Sequence, residues 1–393
     1  MPRKALFFVL LICFMLPLET FARIKLITLP VRERVEIQLQ HPDVTLVEEE
    51  RIVPLVQGVN QVDFSWANTR IDADTLVFRV LEGGDIKVLS VSYPPNENAL
   101  VWQVSAKKSG PARVRISYVL GQLEKSFSYR AVADHDEKHL ALSQYLHVHN
   151  KANEGFGESG LWVGFGDRLK KTVGLNETKK IRLAKYQGVP VRKTYSCNPV
   201  EFGWHNRAQN KLRVPMHYVL KNDKTNRLGK SALPYGKVRI FQDDGKGTLA
   251  FVGEDWGKFT PPDDELKLFL GQAQDIVVKR TIDKSEQQRI AGNLYKHSVV
   301  VKYEIENFKD SPVTLEIGED IRSLRNEVRS NNGRDVEWEL GPQTSFSDKP
   351  DAEQSRFDKL VYAVKLPARK GAGKAEKITH KLHLVLNNEW SGR

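Results

Sequence analysis

Four of the ten histidines fall between residues 135 and 149, the densest group of metal-ligating side chains in the sequence. His135 and His139 stand four apart, as two ligands on one helical turn would, but Glu137 does not follow the first histidine directly as the H-E-x-x-H hydrolase arrangement requires. On a strand, with a rise of about 3.3 Å per residue, the same pair is too far apart to share an ion. His147 and His149 are better placed, because alternate residues of a strand share a face. They are the candidate metal ligands, and a metal-assisted hydrolase built on them needs a third ligand from elsewhere. His380 and His383, three apart on an expected strand, point to opposite faces.

Other catalytic signatures are missing, so no catalytic residue is assigned and no cofactor is expected. Gly157-Glu158-Ser159-Gly160 lacks the spacing of a nucleophile elbow. There is no phosphate loop and no dinucleotide fingerprint. Asp243-Asp244-Gly245-Lys246-Gly247 lacks the alternating oxygens and closing glutamate of a calcium loop, and Val238, Ile240, Leu249 and Phe251 around it make it a hairpin turn. Acid pairs such as Asp263-Asp264 read as solvated turn residues. Tryptophan offers a different chemistry, since an exposed ring can stack on a sugar. Trp66 and Trp102 lie in alternating strands and belong to a core. Trp256, set among glycines and charges in Gly253-Glu254-Asp255-Trp256-Gly257-Lys258-Phe259, is the best placed for exposure, against the alternative that it too is core. With Lys258 beside it, Trp256 is the candidate ligand-binding residue.

The elements that position these residues are strands. Val35, Ile37 and Leu39 alternate with Glu36, Gln38 and Gln40; Val62, Phe64 and Trp66 repeat the pattern, as do Val114, Ile116 and Tyr118. Val299, Val301, Tyr303 and Ile305 are expected to face a core, Asn307 to Pro312 to reverse the chain, and Val313, Leu315 and Ile317 to return. Gly83-Gly84, Pro94-Pro95 and Ser109-Gly110-Pro111 punctuate these runs. Only Glu286 to Leu294 and Ile321 to Val328 have the makings of short helices. The expected fold is all-β, with tandem β-sandwich domains. The expected layout is an N-terminal β-domain over 23–130, a β-rich middle segment over 131–226 and a C-terminal sandwich over 227–393.

Residues 1–22 read as a secretory leader: Arg3 and Lys4, the apolar run from Ala5 to Leu18, then Thr20-Phe21-Ala22. The expectation is an exported protein, periplasmic or extracellular, with no membrane span once the leader is cleaved. Of two cysteines, Cys13 lies in the leader, so Cys197 has no partner for an intramolecular disulfide and is expected to be a buried apolar residue. The net charge of +11 favours anionic surfaces, while the scatter of the bases gives no footprint for nucleic acid.

From Leu228-Gly229 onward an ordered set of short motifs carries a family resemblance. Leu233-Pro234, Gly236-Lys237-Val238-Arg239, Phe251-Val252-Gly253-Glu254-Asp255 and Thr260-Pro261 are followed by Gly271 to Arg280, Tyr303 to Asn307 and Asp310-Ser311-Pro312-Val313. In order and spacing this resembles the bacterial domain of unknown function 4139, which also occurs in mucoidy inhibitor A proteins. Val44 to Phe64, Ile71 to Leu76, Gln144 to Asn153 and Asn176 to Tyr195 extend the resemblance upstream. It implies a β-rich, exported protein and brings no established activity or catalytic residue. Where the family tends to have an arginine and then a histidine before Thr-Pro, this chain has Trp256 and Phe259. The coiled-coil insertion of the mucoidy inhibitor branch is not visible. The reading that follows is a non-enzymatic exported protein that binds or organises cell-envelope components, whose partner is an anionic envelope polysaccharide or an envelope protein. The metal-dependent hydrolase and the acidic-polysaccharide binder stand as its alternatives.

Overall fold

The structure, a computed structural model, describes residues 25–390 apart from 42, 67–68, 200–210, 329–336, 347–349, 351–357, 372 and 374. The expected leader lies outside the described residues. The fold is all-β, a set of packed sheets, and among the described residues no helix is long and apolar enough to cross a membrane. The chain divides into two compact units, Met1–Ser126 with Leu146–Ile181, and Phe127–Tyr145 with Arg182–Arg393.

The first unit holds a four-stranded sheet, in the order Lys25–Thr28, Gly58–Ser65, Ala99–Ala106, Ile86–Ser92. It also holds a six-stranded sheet: Leu169–Val173, Gly157–Trp162, Arg34–Gln38, Thr45–Leu55, Gly110–Leu120, Ile71–Glu82. Period-two alternation explains both. Val35, Ile37, Val62, Val114, Ile116 and Tyr118 are buried, as the pattern predicts, and Trp102 and Trp66 are core residues. Aromatic rings join the two sheets: Phe64 of the smaller sheet lies 5.9 Å from Tyr118 of the larger, and Trp102 lies 5.0 Å from Phe78. An inward carboxylate breaks the apolar rule. Glu49 is fully buried, and its carboxylate accepts from the guanidinium groups of Arg32 and Arg51, so the charge enters the core already paired.

In the second unit two five-stranded sheets enclose one core. One is ordered Glu265–Gln272, Pro215–Lys221, Arg192–Cys197, Val313–Asp320, Lys359–Leu366; the other Lys211–Leu212, Ile276–Ala291, Leu294–Asn307, Lys377–Trp390, Glu337–Leu340. Val299, Val301, Tyr303 and Ile305 are all fully buried in that core, while Lys302, Glu304 and Glu306 are partly exposed. The chain does turn after Asn307, and Leu315 and Ile317 return into the same core. That strand belongs to the facing sheet, pairing with Arg192–Cys197 and Lys359–Leu366. Arg280 and Tyr303 from one sheet converge on Glu319 from the other: Arg280 donates two bonds of 2.9 Å, and the Tyr303 hydroxyl donates a third. Cys197 is completely buried beside this group, and burial pushes its thiol up, which leaves it a packing residue.

A second core forms where Tyr218, Leu220, Leu266 and Leu268 meet Val238 and Ile240 from the hairpin of Gly236–Asp243 and Leu249–Gly257. Asp244 sits at its tip as expected, its carboxylate accepting from the backbone N–H groups of Lys246 and Thr248. Of the two expected helices one is present. Ile321–Glu327 is capped by Asp320 and buries Ile321 and Leu324. Glu286 to Leu294 is corrected: Glu286 to Ala291 ends the strand Ile276–Ala291 and pairs with Leu294 to Ser298 around Gly292, at φ 54°. With no apolar stripe to bury, that segment follows its partner strand.

Ile305→Ala should lower unfolding free energy by about 2–5 kcal/mol in urea denaturation. Glu304→Ala, which removes a half-exposed pair with Lys377 at 2.8 Å, should change it by no more than about 1 kcal/mol.

His383 gives a pH expectation. The Gln343 backbone N–H donates to its Nδ1 at 3.3 Å, and its Nε2 is 2.8 Å from the Ser298 hydroxyl, an arrangement that suits the neutral ring. Burial, and then the charge of Lys284, lower its pKa. With the folded value below the unfolded one of about 6.5, its contribution is present above that pH and lost as pH falls towards the folded value. An NMR titration should place the His383 midpoint below about 6.5.

Candidate functional site

The hairpin of Gly236–Asp243 and Leu249–Gly257 places Trp256. Alternation turns Val238 and Ile240 into the core and leaves Lys237, Arg239, Glu254 and Trp256 facing outward. Its approach to the neighbouring strand depends on a missing side chain: a Cβ on Gly236 would come within 2.4 Å of the Phe127 carbonyl oxygen. The base of the hairpin is fixed by a bridge between Leu233 and Thr260, and the Tyr129 hydroxyl donates to the Pro234 carbonyl at 2.7 Å. The Asp255 carboxylate accepts from the backbone of Trp256 at 2.8 Å and of Phe269 at 2.7 Å, tying the Trp256 main chain to the next strand.

On this rigid base the rings are open to solvent. Trp256 is 51% exposed, Tyr235 57% and Phe259 63%. Tyr235 stacks on Trp256 with centroids 5.2 Å apart and planes inclined by 6°. The Lys237 ammonium lies 5.2 Å from the Trp256 centroid, within cation–π range. Glu254 accepts from Lys237 at 2.7 Å and from Arg239 at 3.2 Å; the bond from Lys237 in particular holds that carboxyl below its ordinary value. Along the same sheet the Arg130 guanidinium lies 5.0 Å over Phe241, and Phe251, 61% exposed, packs edge-on against Phe241. The face combines flat apolar rings with cations that are already in place. That is the chemistry of stacking on a sugar ring while pairing with an acidic substituent.

Sequence reasoning found Trp256 and missed its neighbours. Lys258 is exposed, but the cation over the ring is Lys237, brought opposite Trp256 by strand pairing. Tyr235 carries no periodic signal, because it stands outside the strand, between Pro234 and Gly236. His147 and His149 do share a partly exposed face, opposite the buried Leu146 and Val148. His149 Nδ1 is 2.6 Å from the Thr178 hydroxyl. Among the described residues no group of three or more His, Cys, Asp or Glu side chains is arranged to hold a metal ion.

No protein-family model matches the chain, and no curated protein matches it either.

Because both rings are about half exposed and packed mainly on each other, Trp256→Ala and Tyr235→Ala should each lower stability by about 1–2 kcal/mol and leave the fold intact. Differential scanning calorimetry checks this, and makes the two variants clean probes of binding.

Proposed function

We propose that the protein is a non-enzymatic, exported β-sandwich protein that binds an acidic polysaccharide of the cell envelope through the face around Trp256. The observation that carries the reading is the exposed Tyr235–Trp256 stack with the Lys237 ammonium over the indole. Aromatic rings that stay exposed while hydrophobic neighbours are buried mark an interaction surface. A ring pair built on a hairpin also loses little freedom on binding. Arg239 and Lys258 nearby, on a chain of net charge +11, favour an anionic polymer over a neutral one. The leader read from residues 1–22 supports export, and the ordered motifs from Leu228 onward support kinship with the domain of unknown function 4139 family.

Protein lacking residues 1–22 should bind alginate, a polyuronate, more tightly than neutral dextran, with affinity falling as salt is raised. Trp256→Ala should weaken alginate binding by about tenfold or more, the loss expected of a central aromatic contact. Equal binding to dextran, or alginate binding untouched by Trp256→Ala, would remove the proposal.

A further inference from the structure

We infer that Trp256 marks one end of a longer site, in which an extended polyuronate chain lies along the hairpin and reaches a second aromatic subsite at Phe251. This extended site rests on the polysaccharide reading of the Trp256 face and adds the length and direction of the ligand. The register of the hairpin sets its two ends. Lys237 is paired with Trp256, and Phe241 with Phe251. Lys237, Arg239 and Phe241 are alternate residues of one strand, and Val238 and Ile240 between them are buried. All three therefore look outward, so both ring pairs lie on one face. Four residues separate them, or about 13 Å at about 3.3 Å per residue.

Each end offers an open ring. At one, Tyr235 stacks on Trp256. At the other, Phe251 is 61% exposed and stands edge-on to Phe241, with centroids 5.5 Å apart. The Arg130 guanidinium covers the Phe241 ring at 5.0 Å, which leaves Phe251 as the free stacking surface. Between the ends cations outnumber acids. Arg239 lies beside Arg130 of the neighbouring strand, and with Lys237 these stand against one carboxylate, Glu254. A polyuronate carries a carboxylate on every sugar, so its middle sugars meet the arginines while its outer sugars meet the rings. At about 5 Å per linked pyranose, from bonds of about 1.5 Å, a disaccharide cannot bridge about 13 Å and a hexasaccharide can. Once one end is seated, the second contact forms within the complex, and affinity climbs steeply with length.

Uronate oligomers cut from alginate, a disaccharide and a hexasaccharide, are titrated into the full chain by calorimetry, up to about 20 mM, a range that covers millimolar affinities. The hexasaccharide should bind about thirtyfold or more tightly than the disaccharide, beyond the severalfold gain of offering a short site several frames. Phe251→Ala should weaken the hexasaccharide by about tenfold and leave the disaccharide unchanged, which also shows the variant to be folded. Trp256→Ala should weaken both. A hexasaccharide that does not bind removes the polysaccharide reading and the extended site together. A hexasaccharide weakened by Trp256→Ala but not by Phe251→Ala overturns the extended site alone. So does an affinity that does not rise with length, or a Phe251→Ala variant that loses both oligomers alike.

Discussion

The pleat of the strand is the constraint on which this structure depends. Successive side chains point to opposite faces, so a strand paired one residue out of register would expose its whole apolar set. Between Val299 and Ile305 four alternate side chains are fully buried in one core, and no slipped register can bury the same four. The same rule aims the outward residues. Lys237 and Trp256 lie side by side because Val238 and Ile240 on one strand are committed to the core. A surface of rings and cations is thus specified from beneath by residues that never touch solvent.

Buried charge adds a second level of specification. Apolar side chains packed between two sheets tolerate small sliding, because the hydrophobic effect has no direction. A bidentate pair does not. Arg280 and Tyr303 in one sheet both reach Glu319 in the other, and separating them would leave a carboxylate in the core without partners. Glu49 in the first unit, paired with Arg32 and with Arg51 of its own strand, likewise cannot lose its partners without leaving a bare carboxylate in the core. These groups hold alignment more than they add stability, since a well-packed apolar substitute is often as stable.

Much of the fold was legible in the residue order. Alternation located the strands around Val35, Val62, Val114 and Val299, and turn chemistry located the Asp244 hairpin. Trp256 could be singled out because glycines and charges flank it. What escaped depends on pairings distant in sequence. Glu286 to Leu294 has helix-forming residues, but the ladder formed with the following strand overrides that local preference. Lys237 and Trp256 are neighbours only once the hairpin closes. Lys193 and Glu137 meet at 2.7 Å only once strands distant in sequence are paired. Nothing in the residue order marks Glu49 or Glu319 as buried, because the arginines that pair with them are set against them only by the fold.

The route of the chain has a consequence for how the protein is made. The division between the units falls inside the strands Leu123–Ala133, His139–Asn150 and Thr178–Pro190, and each unit draws on two separate stretches. No single cut therefore releases either unit whole. During synthesis the first unit cannot be completed until Ile181 has left the ribosome, and the neighbouring strands Leu123–Ala133 and His139–Asn150 gain their outer sheet partners only when Thr178–Pro190 and Gly236–Asp243 have been made. Contacts of such long sequence separation form slowly and leave strand edges open meanwhile. A chain built this way gains from being kept extended until all of it is available, as it would be if threaded unfolded across a membrane and released to fold on the far side.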